Sequence, residues 1–128
     1  MKMAGTTITK QVVQPIIGVS ASITVGGDWV AKWVLTWPDG TVLSSDESAL
    51  SDVSLELKMG YLVMRAPGML RLDVPVEVIE DAPEAIETVR FGGGVAKAVD
   101  EGAWAAEWFT KVVGRPVRLL KLLHADAL

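Results

Sequence analysis

From Thr6 to Val99 the chain alternates short apolar-rich runs with turn residues, the pattern of strands rather than of long helices. The runs "TTITKQVV" and "VSASITV" come first, separated by Pro15 and Gly18. In "VSLELKM", Val53, Leu55, Leu57 and Met59 alternate with Ser54, Glu56 and Lys58, which predicts a strand with one face buried and one wet. Gly60 turns the chain into "YLVMRA", and Pro67-Gly68 turns it again into "LRLDV", which Pro75 confines to an edge or a bulge. Trp29, Trp33 and Trp37 are spaced by four, which suits one face of a helix or of a strand. The richness in Trp and Val, the lack of an acidic capping box and the Pro38-Asp39-Gly40 turn favour a hairpin into "TVLS". "SSDESALSDV" reads as a polar loop with about one helical turn, residues 80–87 as an acidic loop, and "TVRF" with "VAKAV" as a hairpin around Gly92-Gly93-Gly94.

Residues 100–114 are the one stretch read as a helix. Trp104, Trp108 and Val112 recur every four residues, with Ala105, Phe109 and Val113 one step round. Asp100 has the chemistry of an N-cap, Glu107 and Lys111 are placed for an i,i+4 ion pair, and Gly114 before Pro116 ends the helix. "VRLLKLL" then resumes as a strand. A buried aromatic covers about 150–250 Å², so both tryptophans of the helix are read as core rather than as a ligand box. The expected fold is mainly β with one C-terminal α-helix, a closed or partly closed β-barrel forming a single domain over residues 1–128.

Composition narrows the chemistry. Half of the residues are hydrophobic and 22% are charged, a globular balance. A formal charge of −4 with scattered Lys and Arg disfavours a nucleic-acid or lipid surface. With no cysteine and one histidine, His124, thiol catalysis, disulfides, zinc-thiolate sites and a two-histidine metal site are excluded. "FGGGVAK" lacks the spacing of a phosphate loop, and the acids of 77–87 have no basic partner in sequence to make them a catalytic pair. Without a secretory h-region or an apolar run of about 18 residues, the expectation is a cytoplasmic bacterial protein that is no enzyme, with no cofactor demanded by its residues.

The segments "YLVMRAPGMLRLDVPV" and "TVRFGGGVAKAVDEGAWAAEWFTKVVGRPVRLL", with "WVLTWPDGTVLS" before them, resemble the N-terminal β-barrel domain that precedes MOSC (molybdenum cofactor sulfurase C-terminal) domains. The resemblance spans about residues 15–120. It implies the barrel fold and, in full-length relatives, a following MOSC domain with a cysteine at molybdenum or sulfur. This chain has no cysteine and ends about where that domain would begin. The family's Tyr-Pro-x-Lys-Ser strand here reads "QPIIGVS", with Ile17 and Gly18 where the cofactor-facing Lys and Ser belong, and the Gly-Asp-Arg motif becomes "GGDWVAKW". The resemblance therefore implies a non-catalytic, stand-alone binding or interaction module, partnered by a MOSC-type domain in trans or by a second copy. The alternative is a carrier of a pterin-like or other small anionic ligand in the barrel mouth, with Lys32 and Arg65 as the candidate charges.

Overall fold

A computed structural model describes residues 10–26, 31–43, 48–76 and 86–123. Trp29, Asp28, residues 80–85 of the expected acidic loop, and His124 lie outside them; Ile86 and Glu87, expected in that loop, instead open a strand. The fold is mainly β with one C-terminal helix. Its described strands are β1 (Lys10–Val13), β2 (Ile16–Ile17), β3 (Ile23–Gly26), β4 (Trp33–Thr36), β5 (Ser54–Lys58), β6 (Tyr61–Arg65), β7 (Leu72–Pro75), β8 (Ile86–Phe91), β9 (Gly94–Asp100) and β10 (Arg118–Leu122). The helix is α1 (Ala103–Val113), and a 3-10 turn covers Ser48–Leu50.

The strands form three open sheets rather than one closed barrel: β1-β3, β2-β4-β10-β9-β8 and β5-β6-β7. The hairpins β5–β6 and β8–β9 form as their turns and alternation predict. "WVLT" is a strand, not a helix. The Trp37-Gly40 turn returns the chain so that Leu43 N–H donates to the Leu35 carbonyl. Pro75 closes β7 at the edge of its sheet, where its missing N–H leaves no ladder bond unmade. β2, two residues paired parallel to β4, carries no local pattern that announces it.

The middle of the five-stranded sheet is buried on both faces. Trp33 and Leu35 of β4 and Leu119 of β10 join a core shared with Leu62, Met64, Leu50 and the helix. Val34 and Leu120, one residue along, join Val89, Ala96 and Ala98 in a second core on the other face. All four residues of β4 are buried, so the in-out alternation of a one-sided strand is absent there.

Lys121 is paired with Trp33 across the β10–β4 ladder and therefore points into the first core. Its ammonium donates to the Pro75 carbonyl at the end of β7 and lies 3.2 Å from Glu101 Oε2. Trp33 Nε1 donates to the same carboxylate oxygen at 2.7 Å. The lysine side chain is 6% exposed and the glutamate 12%, so this is a buried ion pair at the meeting of two sheets.

Met59, grouped by alternation with the inward residues of β5, is instead 91% exposed. It sits at φ 52 in the turn ahead of Gly60, where the strand period no longer applies.

The β4 hairpin is held by Asp39. Its Oδ1 accepts the Thr41 backbone N–H at 2.9 Å, an Asx turn, and Arg90 reaches the Asp39 carbonyl from β8. The Thr41 backbone N–H first, then its hydroxyl, then the Arg90 charge hold this carboxyl below the usual aspartate range. Because the folded value lies below the unfolded one, the stabilisation is present above about pH 4 and is lost as pH falls through the lower folded value. A carboxyl-carbon NMR titration is expected to place the Asp39 midpoint below that of an unstructured aspartate. A midpoint at or above it would contradict the turn described.

Candidate functional site

The N-cap of helix α1 is Gly102, whose φ of 110 only glycine adopts readily, and no side chain caps the helix. Asp100, the expected N-cap, is instead the last residue of β9. It accepts the Gly102 N–H at 2.6 Å, while Arg118 bridges it at 3.1 Å and Glu87 at 2.8 Å. Its carboxylate thus secures the bend from strand to helix and the sheet beneath it, two residues before the helix begins. The C-terminus follows expectation: Gly114 is left-handed at φ 85 and its N–H donates to the Thr110 carbonyl. Thr110 Oγ1 also hydrogen-bonds the Val117 backbone, fixing the helix end to the start of β10.

The two tryptophans of the helix divide. Trp108 is 7% exposed, packs edge-to-face on Phe109 with centroids 4.9 Å apart, and donates Nε1–H to the Leu70 carbonyl at 2.6 Å. Trp104 is 83% exposed. The core expectation holds for Trp108 and is corrected for Trp104, and helix geometry gives the reason. At about 100° per residue, Ala105, Phe109 and Val112 centre the buried stripe and Trp108 lies at about 60° from Ala105. Trp104 lies about 100° from Ala105 on that side, with Lys111 and Glu107 further round on the outward face. Glu107 and Lys111 do share a face, but the expected ion pair between them is absent, and neither has an ion-pair partner among the described residues.

Beside this helix face runs the β6–β7 connection. Met69 N–H donates to the Ala66 carbonyl, and the turn lifts Leu70 out to 87% exposure. Between the turn and the helix lies a hollow of about 330 Å³, walled by Met69, Leu70 and Leu72 on one side and Trp104 and Trp108 on the other. Arg71, Glu107 and Lys111 stand at its rim, and Arg71 is paired with Asp73 at 3.0 Å. Leu70 and Trp104, each exposed above four-fifths, thus face the same hollow from its two walls, with charged side chains among its lining.

The sequence candidates lie elsewhere. Lys32 precedes β4, where its backbone joins Pro15 and Leu122. Arg65 ends β6 in another sheet and pairs with Glu56 at 3.0 Å. No described interaction brings the two together, and neither lines the hollow at Trp104. A second hollow, about 420 Å³, is lined by Gln14, Ile17, Gly18, Val42, Leu43, Phe91 and Gly92, with no charged side chain among them. Gly18 is needed there: at φ 103, a Cβ would stand 3.3 Å from that of Leu43. Among the described residues no group of three His, Asp or Glu could hold a metal ion, and no helix is long and apolar enough to cross a membrane.

The sequence reading missed the Leu70–Trp104 surface. The signal available was the shared helical face of Trp104, Glu107 and Lys111, which a stripe drawn through Trp104 and Trp108 conceals.

No family model matches the chain, and no curated protein does. The solution structure of a protein of Bordetella bronchiseptica, a Northeast Structural Genomics target, is similar to it. The two share 42% identity over 73% of this chain and 72% of the other, with a TM-score of 0.63.

Replacing Trp108 with Ala is expected to cost about 3–5 kcal/mol, and replacing Trp104 with Ala less than about 0.5 kcal/mol. Urea unfolding of the two variants checks the division. A Trp104 variant as unstable as the Trp108 variant would return that side chain to the core.

Proposed function

The chain belongs to the same family as the Bordetella protein, and from its own surface we propose that it is a non-catalytic interaction module. Its contact surface is the face formed by α1 and the 68–72 turn. The observation that carries this reading is the pair Leu70 and Trp104, 87% and 83% exposed and adjacent across the hollow. Aromatic side chains in such positions are those that supply most of the energy of protein interfaces. The hollow is open and its polar groups are rim charges, with no nucleophile beside a base.

We read the five-stranded sheet as a partly closed barrel of the MOSC N-terminal kind. Supporting this, the 40–43 segment hydrogen-bonds to β4 and the residue after it on one side (Leu43 N–H to Leu35 O, Trp37 N–H to Thr41 O) and to β8 on the other (Val42 N–H to Arg90 O, Arg90 N–H to Gly40 O). That segment links the first and last long strands of the sheet around the second core. In this reading the uncharged hollow at Ile17 and Gly18 lies at the barrel's mouth. It offers nothing to neutralise an anionic pterin, and Lys32 and Arg65 are not there to supply it. A partner in trans, whether a MOSC-type domain or a second copy, is therefore favoured over a carried anionic ligand.

The test is photo-crosslinking in a cell that naturally makes the protein, with Trp104 replaced by benzoylphenylalanine. A discrete adduct is expected from position 104 and not from Val12, a 70% exposed residue of β1 used as control. No adduct, or the same adducts from both positions, would contradict the assignment.

A further inference from the structure

The interaction surface just described is self-complementary, and we propose that its occupant is a second copy of this chain, docked across a two-fold axis with the two α1 helices antiparallel. The inference rests on the reading of this face as a contact surface and adds what covers it. The outward row of α1 carries Trp104, Glu107 and Lys111, all exposed. Glu107 and Lys111 are one turn apart and of opposite sign, and neither is engaged by another charged residue among those described. The remaining rim charge, Arg71, is already offset by Asp73. Locally the face is therefore close to neutral, and the net charge of −4 on the whole chain acts against self-association only at long range, where salt screens it.

Symmetry then decides the register. In a two-fold contact each residue i meets j while j meets i. An axis crossing the outward face midway between Glu107 and Lys111, at the level of residue 109, sets Glu107 of each copy against Lys111 of the other, giving two equivalent ion pairs. A parallel pairing would set like against like. In the same antiparallel register Trp104 falls opposite Gly114 of the second copy. Gly114 is exposed, has no side chain, and has open space where a Cβ would be, so an indole can lie over it. Leu70, beside the row, extends the apolar contact. A partner of strong net charge of either sign would find no such match on a row holding one acid and one base. The row offers one exposed aromatic and one exposed leucine per copy, well short of the roughly 20–30 residues a side of a stable interface, so the dimer is weak and forms with concentration.

Sedimentation equilibrium of the full chain from about 10 µM to about 1 mM spans the range in which small interfaces associate. The wild-type mass is expected to rise from monomer toward dimer. Glu107→Lys and Lys111→Glu are each expected to weaken association by about tenfold or more, through like-charge contact. The double exchange Glu107→Lys/Lys111→Glu restores it to within about threefold, because the pairs re-form with signs reversed. Trp104→Ala abolishes it. Circular dichroism melts confirm that each variant is folded. A monomer throughout, a dimer indifferent to the single reversals, or a double exchange that fails to recover would overturn the proposal. An adduct from position 104 to a different protein, with the chain monomeric, would sink the second copy and leave the contact surface standing. No adduct and no dimer would remove both.

Discussion

The ammonium of Lys121 sits where three parts of the protein meet. It extends from β10, touches Glu101 at the exit of β9, donates to the Pro75 carbonyl at the end of β7, and lies 5.8 Å from the ring centre of Trp33 on β4. A lysine and a glutamate this far from water are costly unless each is closely satisfied. Here the lysine has a carboxylate and a carbonyl, and the carboxylate has the ammonium and the Trp33 indole. Removing one partner of such a pair characteristically costs about 3–5 kcal/mol, because the other is left buried and charged. The three-stranded sheet is thus docked on the five-stranded one at a fixed place, and not merely by apolar contact that could slide.

That fixed docking carries through to the surface. With β7 set against β10, the turn ahead of β7 is brought alongside α1, and the Trp108 indole closes on the Leu70 carbonyl. The helix is pinned at its other end by Thr110 against Val117, and Arg115 lies over the Trp37 ring at 4.5 Å. A helix held at these points cannot rotate to bury Trp104. The exposed tryptophan is the consequence of satisfying Trp108, and Leu70 is carried outward by the same turn that offers its carbonyl inward. The face formed by α1 and the 68–72 turn is therefore held in place, which would reduce the ordering cost of the association proposed for it.

Much of this fold was legible in the chain because the signals are local. The hairpins follow from alternation and turn chemistry, as in Leu55 and Leu57 of β5, the Pro38-Asp39-Gly40 turn and the glycines between β8 and β9. The helix and its Gly114 stop follow from period and capping. What was not legible depends on distant partners. Lys121 in "VRLLKLL" carries the charge of a solvent-facing residue, yet its register with Trp33 turns it inward to Glu101, on the far side of the helix in sequence. The sorting of strands into three sheets, and the two-residue β2, are likewise set by tertiary pairing. For the site, the tryptophans and the sharing of a face by Glu107 and Lys111 were visible in the chain, but the four-residue spacing of Trp104 and Trp108 placed both in one stripe. Only the position of the stripe's centre, near Ala105, separates them.

The indole groups held or released by this frame report on it, and hydrogen exchange of the tryptophan Nε1–H groups reads it directly. In dilute solution the Trp33 proton, bonded to Glu101, and the Trp108 proton, bonded to Leu70, are expected to be strongly protected. The Trp104 proton is expected to exchange at the rate of an unstructured indole. Protection of Trp104 at low concentration, or rapid exchange at Trp33 or Trp108, would contradict the frame and the surface it presents.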